Sequence, residues 1–384
     1  MTERVYLDWN ATAPLRPEAM AAMAKAWELA GNPSSVHAEG RQARRMVEDA
    51  RTAVASAVGA APGNVTFTSG GTEANVLGLA PGVRRVGAGP AQRLLVSAIE
   101  HASVLTGGRF PPDLVSRIGV TPDGLIDLDE LRRSLAEGAP ALVSIMAANN
   151  ETGAVQPIAE AAEIVHSAGS LLHVDAIQVV GKIPFDIKEL GADLASLSAH
   201  KIGGPKGIGA MVAGDGVEGM EPLLRGGGQE RGQRAGTENV AGIAGFGAAV
   251  AAAIGTSATE TARLEALRNR LEGGLRHTAG AIIFSEKAPR LPNTTLFTVP
   301  GLRAETAVIG FDLAGIAVSS GSACSSGKVQ PSHVLEAMGF GPKIAQGAVR
   351  LSLGWSTSET DIDCCLQAWR KLANALLSEE RNTA

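Results

Sequence analysis

Residues 193–209 read DLASLSAHKIGGPKGIG, and the interpretation of the whole chain starts from this stretch. Its first residues are apolar at alternating positions, which predicts a strand that ends at Ser198. His200 and Lys201 follow at the carboxyl end of that strand, where open α/β sheets bind their ligands. A lysine that is desolvated there can attack a carbonyl carbon. A histidine and a lysine after a strand are more often surface groups, so a second observation is needed.

That second observation is the upstream stretch LLHVDAIQVVG, residues 171–181. Another apolar run ends at Asp175, and Gln178 follows three residues later. Pyridoxal phosphate needs a carboxylate opposite its ring nitrogen, because that ion pair keeps the ring able to withdraw electrons. An aspartate after one strand and a Ser-x-His-Lys sequence after the next predict pyridoxal phosphate as the cofactor.

The composition of the chain narrows the possible functions. The 384 residues have a formal net charge of −5, without long charged runs, so neither nucleic acid nor a membrane surface is expected as a partner. The first residues lack the apolar core of a signal peptide, and the weakly polar residues 240–254 are expected to form a buried helix. Three cysteines, Cys324, Cys364 and Cys365, give no disulfide framework, which fits a reducing cytoplasm.

Residues 65–80, VTFTSGGTEANVLGLA, combine a strand, a glycine turn and a helix that begins near Thr72. The start of such a helix offers backbone N–H groups and a favourable dipole to a phosphate. Strand and helix signals alternate from here to about residue 212, which predicts a mostly parallel sheet covered by helices. A further helical segment is predicted over residues 259–275, and a smaller α+β domain is predicted after residue 292.

Several polar residues allow two interpretations from the sequence alone. His101 is suited to stack on a cofactor ring and move protons, or to form local bonds at a helix start. Arg350 is suited to bind a substrate carboxylate, or to form a structural ion pair. The loop of residues 224–239 is either a flexible surface loop or an ordered phosphate-contacting loop that includes Thr237. The other histidines show no metal-ligand spacing, so no metal site is expected.

Cys324 lies in VSSGSACSSGKVQPSHVL, residues 318–335. Free cysteines are usually small buried hydrophobic residues, but serine and glycine neighbours are too polar and flexible for a core. A reactive thiol on a mobile loop is therefore expected. Cys364 and Cys365 lie side by side in a helical segment, and at least one of them is expected to pack in the core.

The motifs, taken together and in order, resemble the pyridoxal-phosphate cysteine desulfurases of the NifS/IscS type, in the class V aminotransferase superfamily. The resemblance covers nearly the whole chain, through YLDWNATAP, FTSGGTEANVLG, EHASVL, NNETGAVQPI, HVDAIQ, SAHKIGGPKGIGA, RGGGQERGQRAGTEN, SSGSACSSG and VRLSLG. It implies an α/β enzyme of fold type I. Its large domain, residues 15–258, would have a mostly parallel seven-stranded sheet. Residues 1–14 and 259–384 would form a smaller α+β domain that includes the Cys324 loop.

The same resemblance implies a role for each matching residue. Cys324 would be the nucleophile, Lys201 would bond the cofactor's carbonyl carbon, and His101 would stack on the ring and move protons. Arg350 and Asn10 would bind the substrate carboxylate. The remaining cofactor contacts would be made by Gly71, Thr72, Asn150, Asp175, Gln178, Ser198, His200 and, from the other subunit of a homodimer, Thr237.

The implied reaction converts L-cysteine to L-alanine and leaves a persulfide on Cys324. An iron–sulfur scaffold protein or another sulfur acceptor is the implied partner of a cytoplasmic homodimer. A selenocysteine lyase, a class V aminotransferase and a non-catalytic scaffold for sulfur carriers are the alternatives. The family usually has Thr-Thr before the N-terminal proline, whereas this chain has Thr12 and Ala13, and this puts fine detail of the pocket in doubt.

Overall fold

The computed structural model describes residues 4–321 and 331–381, so Cys324 lies outside the described residues. The α-helices in the described ranges are α1 (Pro17–Trp27), α2 (Ala38–Ala57), α3 (Gly71–Gly78), α4 (Ala102–Leu105), α5 (Leu128–Ala136), α6 (Ile158–Ser167), α7 (Val240–Leu275), α8 (Ala304–Leu313), α9 (His333–Ala337), α10 (Pro342–Ala345) and α11 (Glu359–Arg381). The strands are β1 (Val5–Tyr6), β2 (Val65–Thr68), β3 (Arg84–Arg85), β4 (Arg93–Ser97), β5 (Val115–Ile118), β6 (Ala141–Met146), β7 (Leu171–Asp175), β8 (Leu194–Ser198), β9 (Gly209–Ala213), β10 (Val217–Glu218), β11 (Ile282–Ile283), β12 (Thr294–Thr298), β13 (Ile316–Ala317), β14 (Ser319–Ser320) and β15 (Val349–Ser352).

The main sheet has seven strands in the order β2-β9-β8-β7-β6-β4-β5. Strands β4 to β8 pair in parallel, while β9 is antiparallel to both of its neighbours. In this register Met146 pairs with Asp175, and Asp175 pairs with Ser196. The carboxyl ends of β6, β7 and β8 therefore lie side by side. The prediction of an α/β fold with a mostly parallel seven-stranded sheet is confirmed.

Apolar packing covers both faces of this sheet. Leu95 and Val143 belong to the core on one face, whereas Leu94 and Leu142 belong to the core on the other. This follows from the strand period, because successive side chains of a strand point to opposite faces. Continuous apolar runs are what a parallel sheet with helices on both faces requires.

A second, antiparallel sheet has the strand order β11-β12-β15-β14. Its core is built around Trp369, whose ring centroid lies 4.9 Å from that of Phe297 and 6.0 Å from that of Phe311. The indole Nε1 of Trp369 donates to the Thr278 hydroxyl at 2.9 Å, so the buried polar group of this side chain is satisfied. Cys365 is buried in the same core and Cys364 is exposed, as expected for this pair.

Helix α7 joins the two cores and is continuous over 36 residues. The sequence predicted two helical segments here, separated by residues 255–258, and the structure shows one helix. The Thr256 and Ser257 hydroxyls each bond a carbonyl of the preceding turn, which lets these polar residues stay helical on the exposed side. Phe246 packs in the first core and Leu271 in the second.

The domain limits, residues 15–258 for the large domain and residues 1–14 with 259–384 for the small one, stay a prediction. Helix α7 is long and apolar enough to cross a membrane, but 56% of its most apolar 18-residue segment is buried inside the protein. This burial fits the core helix expected from the sequence.

Candidate active site

A cavity of about 280 Å³ lies at the carboxyl ends of β6, β7 and β8. It is lined by Asn10, Ala11, Gly71, Thr72, His101, Ser103, Met146, Ala148, Asn150, Asp175, Ile177, Gln178, Ser198, His200, Lys201 and Arg350. Of the predicted site residues that the structure describes, all except Thr237 line this cavity, and Cys324 lies outside the described residues. Strand ends, helix starts and β15 of the second sheet all contribute to the wall.

Asp175 ends β7 and is buried, with 5% of its surface exposed. Its Oδ2 accepts a hydrogen bond from Asn75 Nδ2 at 3.0 Å, and its Oδ1 accepts one from the backbone N–H of Ile177 at 3.0 Å. Burial raises the pKa of this carboxyl, and the two hydrogen bonds together with His101 and Lys201 oppose the rise. The carboxylate is therefore held in one orientation toward the cavity.

Lys201 closes a short 3₁₀ turn that follows β8. Its Nζ donates to the main-chain oxygens of Asn10 at 2.6 Å and Ala11 at 2.9 Å. These carbonyls belong to the N-terminal segment just after β1. The amine is therefore fixed at the cavity wall by residues about 190 positions away in sequence.

His101 is the N-cap of α4, and its Nδ1 accepts a hydrogen bond from the backbone N–H of Ser103 at 3.2 Å. An accepting Nδ1 leaves the proton of the neutral ring on Nε2. Burial and Lys201 lower the pKa of His101, while Asp175 raises it. The local bonds at the helix start are present, and the ring lines the cavity as well, so the two interpretations of His101 are compatible.

The start of α3 provides the backbone N–H groups at one end of the cavity, beside Ser198 and His200. Gly70 precedes this helix with φ of 155°, and a Cβ on Gly71 would lie 2.3 Å from Ile177 Cδ1. The φ of Gly70 favours glycine at that position, and a side chain at position 71 would require Ile177 to move. Burial and Lys201 lower the pKa of His200 to about 4, which keeps its ring neutral at physiological pH.

Thr12 and Ala13, where this chain departs from the Thr-Thr of the family, lie next to His200. The Thr12 hydroxyl lies 3.2 Å from His200 Nδ1, and the backbone N–H of Ala13 donates to the main-chain oxygen of His200 at 2.8 Å. Ala13 is not among the described residues that line the cavity. Its methyl group is buried next to the site.

Arg350 reaches the cavity from β15 and is 1% exposed. Its Nη2 donates to Asp8 Oδ1 at 2.7 Å and its Nη1 to the main-chain oxygen of Asn150 at 3.0 Å. The buried Nε has no hydrogen-bond partner within the described part of the chain. Arg350 therefore forms the structural ion pair, and its side chain also lines the cavity, where binding of a substrate carboxylate stays a prediction.

Thr237 lies outside the main cavity, in a separate one of about 290 Å³ that is also lined by Thr68 and Arg234. The loop of residues 224–239 is held by a buried ion pair in which Arg51 donates to Glu230 at 2.7 and 2.9 Å. Glu230 also accepts from the backbone N–H of Phe67 at 2.8 Å. These bonds attach the loop to α2 and β2, while its contact with a phosphate and the assignment of Thr237 to the site of a second subunit stay predictions.

Sequence reasoning missed three residues around the site: Asn75, Ser103 and Lys182. Asn75 is fully buried and donates to Asp175 and to the Ser103 hydroxyl. An asparagine inside a short helix has low helix propensity, and that was the available signal.

No group of three or more His, Cys, Asp or Glu side chains arranged for a metal ion occurs in residues 4–321 and 331–381.

The donor set fits pyridoxal phosphate. The cavity presents a fixed buried carboxylate, a lysine amine, a histidine ring and helix-start N–H groups, one for each part of that cofactor. The family model for aminotransferases of class V matches residues 5–364. The chain belongs to the class-V aminotransferase family. Members of this family generally use pyridoxal phosphate.

Relatives that match over nearly the whole length of this chain include proteins named cysteine desulfurase. The chain is 44% identical over 382 residues to a cysteine desulfurase of Cereibacter sphaeroides, which covers 97% of each chain. It is 39% identical to an IscS-like cysteine desulfurase of Mycobacterium tuberculosis, with 94% of each chain covered. The structure of a NifS-like protein from Rickettsia africae superposes with a TM-score of 0.89 at 36% identity, covering 97% of this chain and 100% of that one. The resemblance to NifS/IscS-type cysteine desulfurases is confirmed.

Proposed function

We propose that this protein is a pyridoxal-phosphate-dependent cysteine desulfurase that converts L-cysteine to L-alanine and keeps the sulfur as a persulfide on Cys324. The single observation that most supports this function is the meeting of Lys201, Asp175 and Arg350 at one cavity. An amine, a carboxylate for a ring nitrogen and a cation for a substrate carboxylate are the three groups that this chemistry needs.

Each part of the cofactor has residues that would hold it. Asp175 would pair with the ring nitrogen, His101 would stack on the ring, and Gln178 and Asn150 would hydrogen-bond the ring side of the cofactor. Gly71, Thr72, Ser198 and His200 would hold the phosphate, with Thr237 from a second subunit. When bound, the cofactor accepts the electron pair that remains after the α-proton of the substrate leaves.

The chain's own residues would perform the remaining steps. Arg350 and Asn10 bind the substrate carboxylate, and the Lys201 amine takes the α-proton. The Cys324 thiolate then attacks the substrate sulfur, so that a sulfur–sulfur bond forms while the carbon–sulfur bond breaks. The electron pair of the broken bond goes to the carbon side, which is protonated to give alanine.

The cellular setting is part of the same proposal. A cytoplasmic homodimer that passes sulfur to an iron–sulfur scaffold protein or another acceptor agrees with the family and with the buried position of the apolar helix α7. The thiol count supports a reducing compartment, because the sequence offers no disulfide framework.

The test follows sulfide and alanine together after L-cysteine and a thiol reductant are added to the purified protein. Equal amounts of the two products are expected, and Cys324→Ala abolishes both while the cofactor stays bound. Cys364→Ala, which changes an exposed cysteine, is the matched control and keeps full activity. Turnover that persists in Cys324→Ala refutes the nucleophile, and amino transfer that depends on a keto acid indicates an aminotransferase instead.

A further inference from the structure

A second lysine lies directly behind the site. The Nζ of Lys182 donates to Gln178 Oε1 at 2.8 Å and to Asn10 Oδ1 at 3.0 Å. Its own main-chain oxygen accepts from the Thr261 hydroxyl of α7 at 2.8 Å, which fixes the backbone of this turn. The proposed function gives Lys182 no role.

Both acceptors of Lys182 are buried amide side chains of the cavity wall. Gln178 is 6% exposed and Asn10 is 1% exposed. With its oxygen bound to Lys182, Gln178 directs its Nε2 to the main-chain oxygen of Asn10 at 3.1 Å. That same oxygen accepts from Lys201 Nζ at 2.6 Å. Asn10 therefore bonds both lysines: its side-chain oxygen accepts from Lys182 and its main-chain oxygen accepts from Lys201.

Asn10 extends the same network to the second sheet. Its Oδ1 also accepts from Asn293 Nδ2 at 3.2 Å, and its Nδ2 donates to the Thr294 hydroxyl at 2.9 Å. An amide side chain has one oxygen and one NH₂ group, so donors on the oxygen side decide which way it faces. The donors Lys182 and Asn293 therefore set the orientation of the Asn10 amide.

The charges around Lys182 are mostly positive. Burial, Lys201 and Arg350 lower its pKa well below the ordinary value. Arg16 and Glu260 line the small cavity of about 40 Å³ that Lys182 and Lys201 share. A neutral amine still has two N–H bonds, one for each of the two amide oxygens, so the arrangement does not depend on the charged form.

We propose that Lys182 is a positioning residue for the reaction: it fixes the amide orientations of Gln178 and Asn10, and through Gln178 it sets the affinity of the site for pyridoxal phosphate. This inference rests on the proposed function. Without Lys182, the side-chain oxygens of Gln178 and Asn10 each lose a donor, and the Gln178 amide keeps only its bond to the main-chain oxygen of Asn10.

The experiment measures the affinity of the full-length protein for pyridoxal phosphate, by titrating the cofactor-free enzyme and following the cofactor absorbance. Lys182→Met is expected to raise the dissociation constant about tenfold, since two buried acceptors lose their donor. Lys188→Met is the matched control, because Lys188 is a surface lysine that pairs with Asp215. Its affinity stays within about twofold of the wild type, as expected for an exposed pair.

A double-mutant cycle separates positioning from a general loss of stability. In a Gln178→Ala background, Lys182→Met is expected to change the dissociation constant by less than about threefold, because the residue through which it acts is gone. The cycle is repeated with Lys182→Gln, whose shorter side chain cannot reach both acceptors, in case the methionine variant folds poorly.

Three results would overturn the proposal or its basis. Wild-type affinity in Lys182→Met, or the same tenfold loss in the Gln178→Ala background, contradicts the positioning role alone. A wild-type protein that takes up no pyridoxal phosphate overturns the proposed function, and the positioning role with it.

Discussion

Arg350 and Asp8 form an ion pair at the cavity wall, with 2.7 Å between Nη2 and Oδ1. The guanidinium is 1% exposed, and the Asp8 side chain is 21% exposed. The carboxylate of Asp8 therefore occupies one side of the group proposed to bind the substrate carboxylate. The cation is held in place by this pair, and part of its charge is neutralised by it.

We expect Asp8→Asn to lower the KM for L-cysteine about fivefold, because removing a partly exposed carboxylate returns about 1 kcal/mol of attraction to the substrate anion. The amide oxygen can still accept from Arg350, so kcat stays within about twofold. Steady-state sulfide release measures both constants. Asp113→Asn, an exposed change of equal charge, is the control and leaves KM unchanged. A higher KM in Asp8→Asn would mean that Asp8 mainly orients Arg350.

Lys201→Ala should reduce sulfide release by at least about 10³-fold, because the amine that takes the α-proton is lost. Mass spectrometry after borohydride treatment should find the cofactor mass on the wild type and not on the variant. Lys206→Ala is the matched control, an exposed lysine five residues further along the chain. Residual turnover above a tenth of the wild-type rate would assign proton removal to another group.

Glu151 provides a prediction about stability and pH. It is buried beside the Ser332 hydroxyl, which donates to its Oε2, and burial raises its pKa to about 7. Between the unfolded pKa near 4.5 and this folded value, the folded protein holds a proton that the unfolded chain releases. Folding stability therefore falls as pH rises through this window, by about 3 kcal/mol in total.

Glu151→Gln removes this titration and keeps the shape of the side chain. The free energy of unfolding of the variant relative to the wild type should therefore increase between pH 5 and pH 8, by about 2 to 3 kcal/mol. Denaturant unfolding at the two pH values measures it. Glu163→Gln, on the exposed side of α6, shows the baseline. A difference that does not change with pH would show that Glu151 is ionised in the folded protein.

The sequence predicted those parts of the fold that depend on local patterns. The ends of β7 at Asp175 and of β8 at Ser198 are where apolar runs meet polar residues, and a parallel sheet then places both at one edge. Ion pairs and networks between distant segments could not be predicted in this way. Asp8 and Arg350 are 342 positions apart, and nothing near Lys182 in sequence indicates that Asn10 lies beside it.

Asn75 is the clearest example of a missed residue with a measurable role, because it is a neutral side chain that controls a charge. Its Nδ2 donates to Asp175 Oδ2 at 3.0 Å and lowers the pKa of that buried carboxyl. Asn75→Ala removes the donor, so the pKa of Asp175 rises and a smaller fraction is ionised at any given pH.

We expect the acid limb of the kcat/KM profile of Asn75→Ala to move up by about one pH unit, which corresponds to one lost hydrogen bond to a charged group. Sulfide release between pH 5 and pH 9 measures the shift. Asn64→Ala is the matched control, because Asn64 makes the same kind of bond to Asp215 at the surface, at 2.8 Å. Because Asp215 is remote from the cavity, loss of the bond from Asn64 should leave the pH profile of kcat/KM unchanged. An unmoved acid limb in Asn75→Ala would mean that the ionisation of Asp175 does not limit the reaction in that range.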